Sequence, residues 1–183
     1  HLVSSLYNVI KTILSIKFEV NATVIELITN KENTAVEGLK YILNDNKSNV
    51  ITLKSKAIIL ASGGYGHDFD SNDSLLKEFT PNIMKFPTTN GDQSQGTGIK
   101  IARKIGIGLT DMDKVQIHPT GFINLDERYK KFKLLAPELL RGVGGILINQ
   151  KGNRFCNELG TRDYVSQKII ENCELAKSDS ITQ

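Results

Sequence analysis

Residues Lys56–Gly66 read KAIILASGGYG, and this stretch decides the fold class. From Ala57 to Ala61 it is continuously apolar, as expected of a strand buried on both faces of a mainly parallel sheet. Ser62, Gly63, Gly64, Tyr65 and Gly66 follow at its carboxyl end. Open α/β sheets bind ligands just there, because glycine amides let a ligand approach with no Cβ in the way. A plain strand-ending turn uses the same residues, so the cluster takes its meaning from what surrounds it.

Upstream, Leu2, Val3, Leu6, Val9, Ile10, Ile13 and Leu14 recur at helical spacing and predict a helix ending near Ser15. A short strand is expected over Ile16–Val20. Val24–Thr29, Ala35–Leu43 and Val50–Leu53 are β-rich and separated by NKEN and NDNKSN, whose residues favour turns. Three strands with tight polar connections predict an antiparallel meander. The chain opens on His1 and runs almost at once into the helical pattern, with no visible signal peptide; the expectation is a piece of a longer protein.

Downstream, Leu75–Phe79 predicts a short helix stopped by Pro81. Thr88–Gly98, TTNGDQSQGTG, is a polar, glycine-rich loop feeding a helix marked by Ile99, Ile101, Ala102 and Ile105, with Gly106 and Gly108 at its end. Free amides at such a helix start suit anionic or carbonyl groups. Val115 and Ile117 then alternate with Gln116 and His118, placing His118 at the mouth of a strand that Pro119 ends. Asp126–Lys133, DERYKKFK, reads as a solvated face.

The segment Pro137–Asp163, PELLRGVGGILINQKGNRFCNELGTRD, carries the densest chemistry. Gly142, Gly144 and Gly145 follow Arg141, and Arg162 follows Asn157, Glu158 and Thr161. A planar guanidinium fork amid small polar residues suits a bidentate grip on a carboxylate. An ordinary turn flanked by surface arginines, paired to Glu138 and Glu158, fits the same residues. Gly145–Asn149 is expected to be a brief strand, Gly152 a turn, and Tyr164–Cys173 an amphipathic helix beginning near Thr161.

At 183 residues the chain is long enough to bury a core, and its 23 basic and 20 acidic residues nearly balance. That balance gives no reason to expect nucleic acid or an anionic membrane as partner. No apolar run approaches the roughly 18 residues of a membrane-spanning helix. Cys156 and Cys173 lack metal-ligand spacing, so no metal site is expected and the thiols read as reduced or idle.

With these motifs in place, the chain resembles the fumarate reductase and succinate dehydrogenase flavoprotein family, most of all its soluble, yeast-type, FAD-dependent fumarate reductases. The likeness rests on AIILASGGYG (Ala57–Gly66), TTNGDQSQGTGIKIA (Thr88–Ala102), DKVQIHPTGF (Asp113–Phe122), APELLRGVGGILIN (Ala136–Asn149) and KGNRFCNELGTRDYVS (Lys151–Ser166), in that order. The resemblance implies an α/β fold: part of a Rossmann-like FAD-binding domain with an antiparallel β meander, followed by the start of an α+β capping domain. It implies that residues 1–112 are the C-terminal portion of the first FAD-binding segment and residues 113–183 the start of the capping domain, both incomplete.

The same resemblance implies that FAD lies against Ala61, Ser62, Gly63 and Gly64 and is approached by Asn90, Gly91, Gly96, Thr97 and Gly98. It implies a dicarboxylate substrate, fumarate or succinate, with His118 on one carboxylate. Arg162 would deliver the proton, and Glu138 and Arg141 would conduct protons toward it. Two positions depart from the family pattern. Thr97 stands where relatives carry an aspartate that contacts FAD, and Pro137 where several carry a threonine bonding the substrate. The G-x-G-x-x-G fingerprint is absent from this stretch, so the fragment alone is expected to be inactive.

A succinate dehydrogenase or L-aspartate oxidase type flavoprotein and a non-catalytic remnant are the rival readings. The short spacing from Arg141 to Arg162 favours the soluble branch. The sequence identifies no electron donor. The expected setting is soluble, in cytoplasm or mitochondrion.

Overall fold

Asparagine-rich turns and β-branched runs build the first of two units. The computed structural model describes residues 2–174, which divide into residues 2–61 with 100–108, and residues 62–99 with 109–174. Residues 175–183 of the expected capping segment lie outside the described ones. In the first unit, helix α1 (Leu2–Lys11) precedes strands β1 (Ala22–Thr29), β2 (Val36–Leu43) and β3 (Asn46–Lys54). The strands form an antiparallel sheet in the order β1-β2-β3, which is the expected meander.

The β1–β2 connection is held by Asn30, whose side-chain oxygen accepts from the Thr34 and Ala35 amides at 2.8 and 3.2 Å. Asn33 adopts a left-handed φ of 55°, which asparagine tolerates better than most residues. Between β2 and β3 the turn at Asn44 and Asp45 brings Leu43 opposite Asn46. Gly38 in β2 is there for proximity: a Cβ would sit 2.3 Å from the Leu53 carbonyl oxygen of β3.

Two expected strands of this unit are not found. Helix α1 ends at Lys11, not near Ser15, and residues 12–16 continue as turns through Ile13 N–H to Ile10 and Ile16 N–H to Ile13. Ile16–Val20 therefore joins no ladder among the described residues. Nor does Lys56–Ala61 form the predicted strand; Ile59 is 91% exposed. A strand buried on both faces needs hydrogen-bonded neighbours on both edges, and the described residues offer it none.

The second unit is organised by side-chain caps. Helix α2 (Leu75–Phe79) falls where expected, with the Ser74 hydroxyl accepting from the Lys77 amide. Asp68 is buried and receives the Leu75 amide at 2.7 Å and the Ser71 hydroxyl at 2.5 Å, so its carboxylate closes the turn before α2. Helix α3 (Thr97–Lys104) is followed by Gly106 at a φ of +84°. Strands β4 (Gly121–Phe122) and β5 (Leu134–Leu135) pair antiparallel around the exposed Asp126–Lys133 stretch, a hairpin the sequence pattern did not predict.

Helix α4 (Leu139–Gly142) and helix α5 (Arg162–Asn172) follow, and the Thr161 hydroxyl caps α5 by accepting from the Tyr164 amide. Leu75, Leu76 and Val165 are the fully buried apolar side chains of the unit. Val115–His118 and Gly145–Asn149 are not strands: the first pairs with no strand among the described residues, and the second makes one isolated bridge, Ile148 to Arg154. Alternation and apolar runs place residues on faces, but only a partner strand turns them into a ladder.

Candidate active site

Two groups of residues singled out by sequence converge within the second unit. The first joins the glycine loops. The Gly96 amide donates to the Gly64 carbonyl at 3.0 Å, the His67 amide to the Ser94 carbonyl at 2.9 Å, and the Thr88 hydroxyl to the Gly66 carbonyl at 2.6 Å. The His67 ring lies 2.8 Å from the Asn90 carbonyl oxygen. Thus Ser62, Gly63 and Gly64 belong to one assembly with Asn90, Gly91, Gly96, Thr97 and Gly98, while Ala61 ends the first unit.

The glycines in this assembly serve two purposes. At Gly98 a Cβ would lie 1.9 Å from the Ser62 hydroxyl, so its absence lets the loops close on each other. Gly63, at φ +79°, and Gly64 face open space, with nothing within 4 Å of an added Cβ. Both are exposed, and apart from the Gly64 carbonyl, which holds the Gly96 amide, their backbone is open to the close approach of a ligand.

The second group is a chain of charges. Arg162 from α5 grips Glu138 with Nε and with Nη2, the latter at 3.2 Å, and its Nη1 donates to the Gln116 side-chain oxygen at 2.9 Å. Glu138 also faces Arg141, whose Nη2 lies 3.8 Å from its Oε1. The order in space is therefore Arg162, Glu138, Arg141. Hydrogen bonding from Arg162 holds the Glu138 carboxyl below the usual carboxylate range, and the charges of Arg141 and His118 add to this. Conversely, Glu138 holds the Arg162 proton more firmly than usual.

Arg141 is buried, and its Nη1 donates to the Glu158 backbone carbonyl at 2.6 Å. The Glu158 side chain is also buried. It accepts from the Arg154 Nε and Nη2 and from the Leu147 amide, and these bonds, Arg154's foremost, bring its pKa down to about 2. A cavity of about 260 Å³ opens beside Glu138, Arg141 and Arg162. His118 stands apart from the salt-bridged chain: its Nδ1 lies 2.8 Å from the Thr120 carbonyl oxygen, and it lines a separate hollow with Gln116 and Thr88–Asn90.

Residues 1–180 match the family described as FAD binding domain. The chain belongs to that family. It is 42% identical over 151 residues to the fumarate reductase of Schizosaccharomyces pombe, covering 82% of this chain and 29% of that protein. It is 35% identical over 178 residues to fumarate reductase 1 of Saccharomyces cerevisiae, covering 94% of this chain and 36% of that one. Among solved structures, the open conformation of a flavocytochrome c3 fumarate reductase aligns with a TM-score of 0.66 and 29% identity, over 93% of this chain and 28% of that chain.

The chain therefore spans about a third of the length of these two relatives. It is a fragment relative to them. FAD is the cofactor of the family, and the open, exposed backbone of Ser62–Gly64 fits its approach. No helix among the described residues is long and apolar enough to cross a membrane.

Sequence reading did not single out Arg154, and it named Gln116 only as a neighbour of His118 on a strand face. It offered Glu158 as a salt-bridge partner for Arg141 or Arg162. The carboxylate instead pairs with Arg154, and only the Glu158 carbonyl holds Arg141. The i,i+4 spacing of Arg154 and Glu158 suggests pairing on a helix, yet here an irregular loop brings them together.

Proposed function

We propose that this chain is part of an FAD-dependent fumarate reductase that reduces fumarate to succinate, with residues 1–112 in the FAD-binding segment and residues 113–183 beginning the capping domain. The observation that carries the reading is the unbroken series Arg162, Glu138, Arg141 within one unit. FAD held by this segment would supply hydride chemistry in its reduced form, and the residues of this chain would bind and orient the substrate and deliver the proton. The exposed Ser62–Gly64 backbone, with Ala61 before it and the Asn90–Gly98 loop beside it, would hold the cofactor.

His118 would engage one substrate carboxylate. Its Nδ1 lies against the Thr120 backbone, which leaves Nε2 as the ring nitrogen available to an anion. Arg162 would protonate the substrate carbon. An arginine is a poor acid, and Glu138 makes it poorer still in the resting protein. It can release a proton only to a strongly basic centre, which the carbanion left at the second alkene carbon supplies.

Glu138, between the two guanidinium groups, would return a proton to Arg162 from the Arg141 side. The same cations stabilise the negative charge that grows on the substrate, commonly the largest contribution to such a barrier. Thr97 in place of an aspartate leaves the loop backbone to hold FAD, and Pro137 brings neither a hydroxyl nor an N–H to the substrate. The protein would act in cytoplasm or mitochondrion.

Fumarate-dependent reoxidation of a reduced viologen dye by the full-length protein tests the assignment. Turnover that depends on fumarate and on bound FAD is expected. Protein loaded with FAD that leaves fumarate untouched would redirect the search to other unsaturated acids.

A further inference from the structure

Arg141 sits in an unusual electrostatic position. Its guanidinium is buried, its Nε has no hydrogen-bond partner among the described residues, and one of its terminal nitrogens faces Glu138. What fixes it is a single strong contact, the 2.6 Å bond from Nη1 to the Glu158 backbone carbonyl. The placement of that carbonyl is therefore the placement of Arg141.

The Glu158 carbonyl is in turn fixed by the side chain of the same residue. Arg154 closes on the carboxylate with two nitrogens, a fork geometry that determines orientation as well as distance. The Leu147 amide adds a third bond at 2.9 Å. The intervening loop turns at Gly152, φ +76°, and is pinned by the Asn149 amide to the Asn153 carbonyl and by the Ile148–Arg154 bridge. So residues 147–158 form a closed loop whose Glu158 carbonyl meets Arg141.

We propose that the Arg154–Glu158 pair is a positioning clamp that sets Arg141 against Glu138 and so keeps the proton path to Arg162 continuous. Neither Arg154 nor Glu158 touches the reacting atoms; they act through Arg141. This rests on the fumarate reductase reading, but the clamp itself is a statement of geometry. Misplacement of a catalytic partner by about 1 Å costs on the order of tenfold to a hundredfold in turnover.

The test is Glu158→Gln in the full-length FAD-loaded enzyme, with Arg154→Lys alongside as a conservative variant that keeps the charge but loses the fork. A crystal structure of Glu158→Gln should show the Arg141 guanidinium displaced from the residue 158 carbonyl. Its kcat for fumarate should fall by about tenfold or more, with KM within about twofold. In an Arg141→Lys background the same substitution should add no further loss of kcat.

Arg141 unmoved in that structure overturns the clamp whatever the activity. Arg141 displaced with kcat unchanged, or losses that multiply in the double variant, overturns its link to turnover. Failure of the fumarate reductase reading would show separately, as a wild-type enzyme without fumarate turnover.

Discussion

Lys56–Ala61 and the loops around Arg162 are two regions of the same chain with opposite dependence on their surroundings. The first has the stronger sequence signature, an apolar run followed by glycines, yet it pairs with no strand among the described residues and leaves Ile59 almost wholly exposed. The second holds only the four-residue helix α4 and a single bridge, Ile148 to Arg154, between residues 136 and 161. It nevertheless closes on itself, through Arg162 with Glu138, Arg154 with Glu158 and Arg141 with the Glu158 carbonyl. Hydrophobic burial needs whole neighbouring elements, whereas charge-assisted hydrogen bonds complete a site from a few side chains of one segment.

The contrast can be broken most sharply at the core of the second unit. Leu75→Ala removes a fully buried side chain and should destabilise that unit by about 3 kcal/mol, read from its urea midpoint. A smaller effect is expected from acid. The Glu158 carboxyl ionises near 2 in the folded chain against an ordinary 4.5, so its pKa is depressed and the stability it contributes is complete above about pH 4.5. That stability is lost as pH falls through the folded value. Thermal melts between pH 5 and about 2 should therefore show a shallower decline for Glu158→Gln than for the parent chain; parallel declines would remove the pair from the ledger of acid stability.

The smallest effect belongs to the exposed run. Ile59→Ala should change the stability of this chain by less than about 0.5 kcal/mol. In the full-length protein, where the run would be a buried strand, the same substitution should cost about 2–5 kcal/mol. Equal costs in both would mean that the run takes no new neighbours in the longer protein.

Legibility followed the range of the forces involved. The meander, α2, α3 and α5 were readable because their signals are local: Asn and Asp turns, Pro81 after α2, Gly106 past the end of α3 and Thr161 at the start of α5. Ile16–Val20, Lys56–Ala61, Val115–Ile117 and Gly145–Asn149 all carried strand-like patterns. A ladder needs a partner strand, which none of them has among the described residues, and the last makes one bridge, Ile148 to Arg154. The β4–β5 pair was missed for the converse reason, being too short to leave a pattern.

The motifs singled out Glu138, Arg141 and Arg162, which the structure brings together, and His118, which lines a separate hollow. The order of the charges could not be read from them, because Glu138 lies between the two arginines in space but before both in sequence. Gln116 reaches Arg162 across 46 positions, and no local pattern records such a contact.

The most direct measurement is the rate of fumarate-dependent viologen oxidation by full-length Arg162→Ala beside wild type, each with its FAD content determined. With FAD retained, turnover should fall by about 10²–10⁴-fold, the range of a lost general acid. Turnover unchanged by the substitution would contradict Arg162 as the proton donor and, with it, the role of the Glu138 and Arg141 chain behind it.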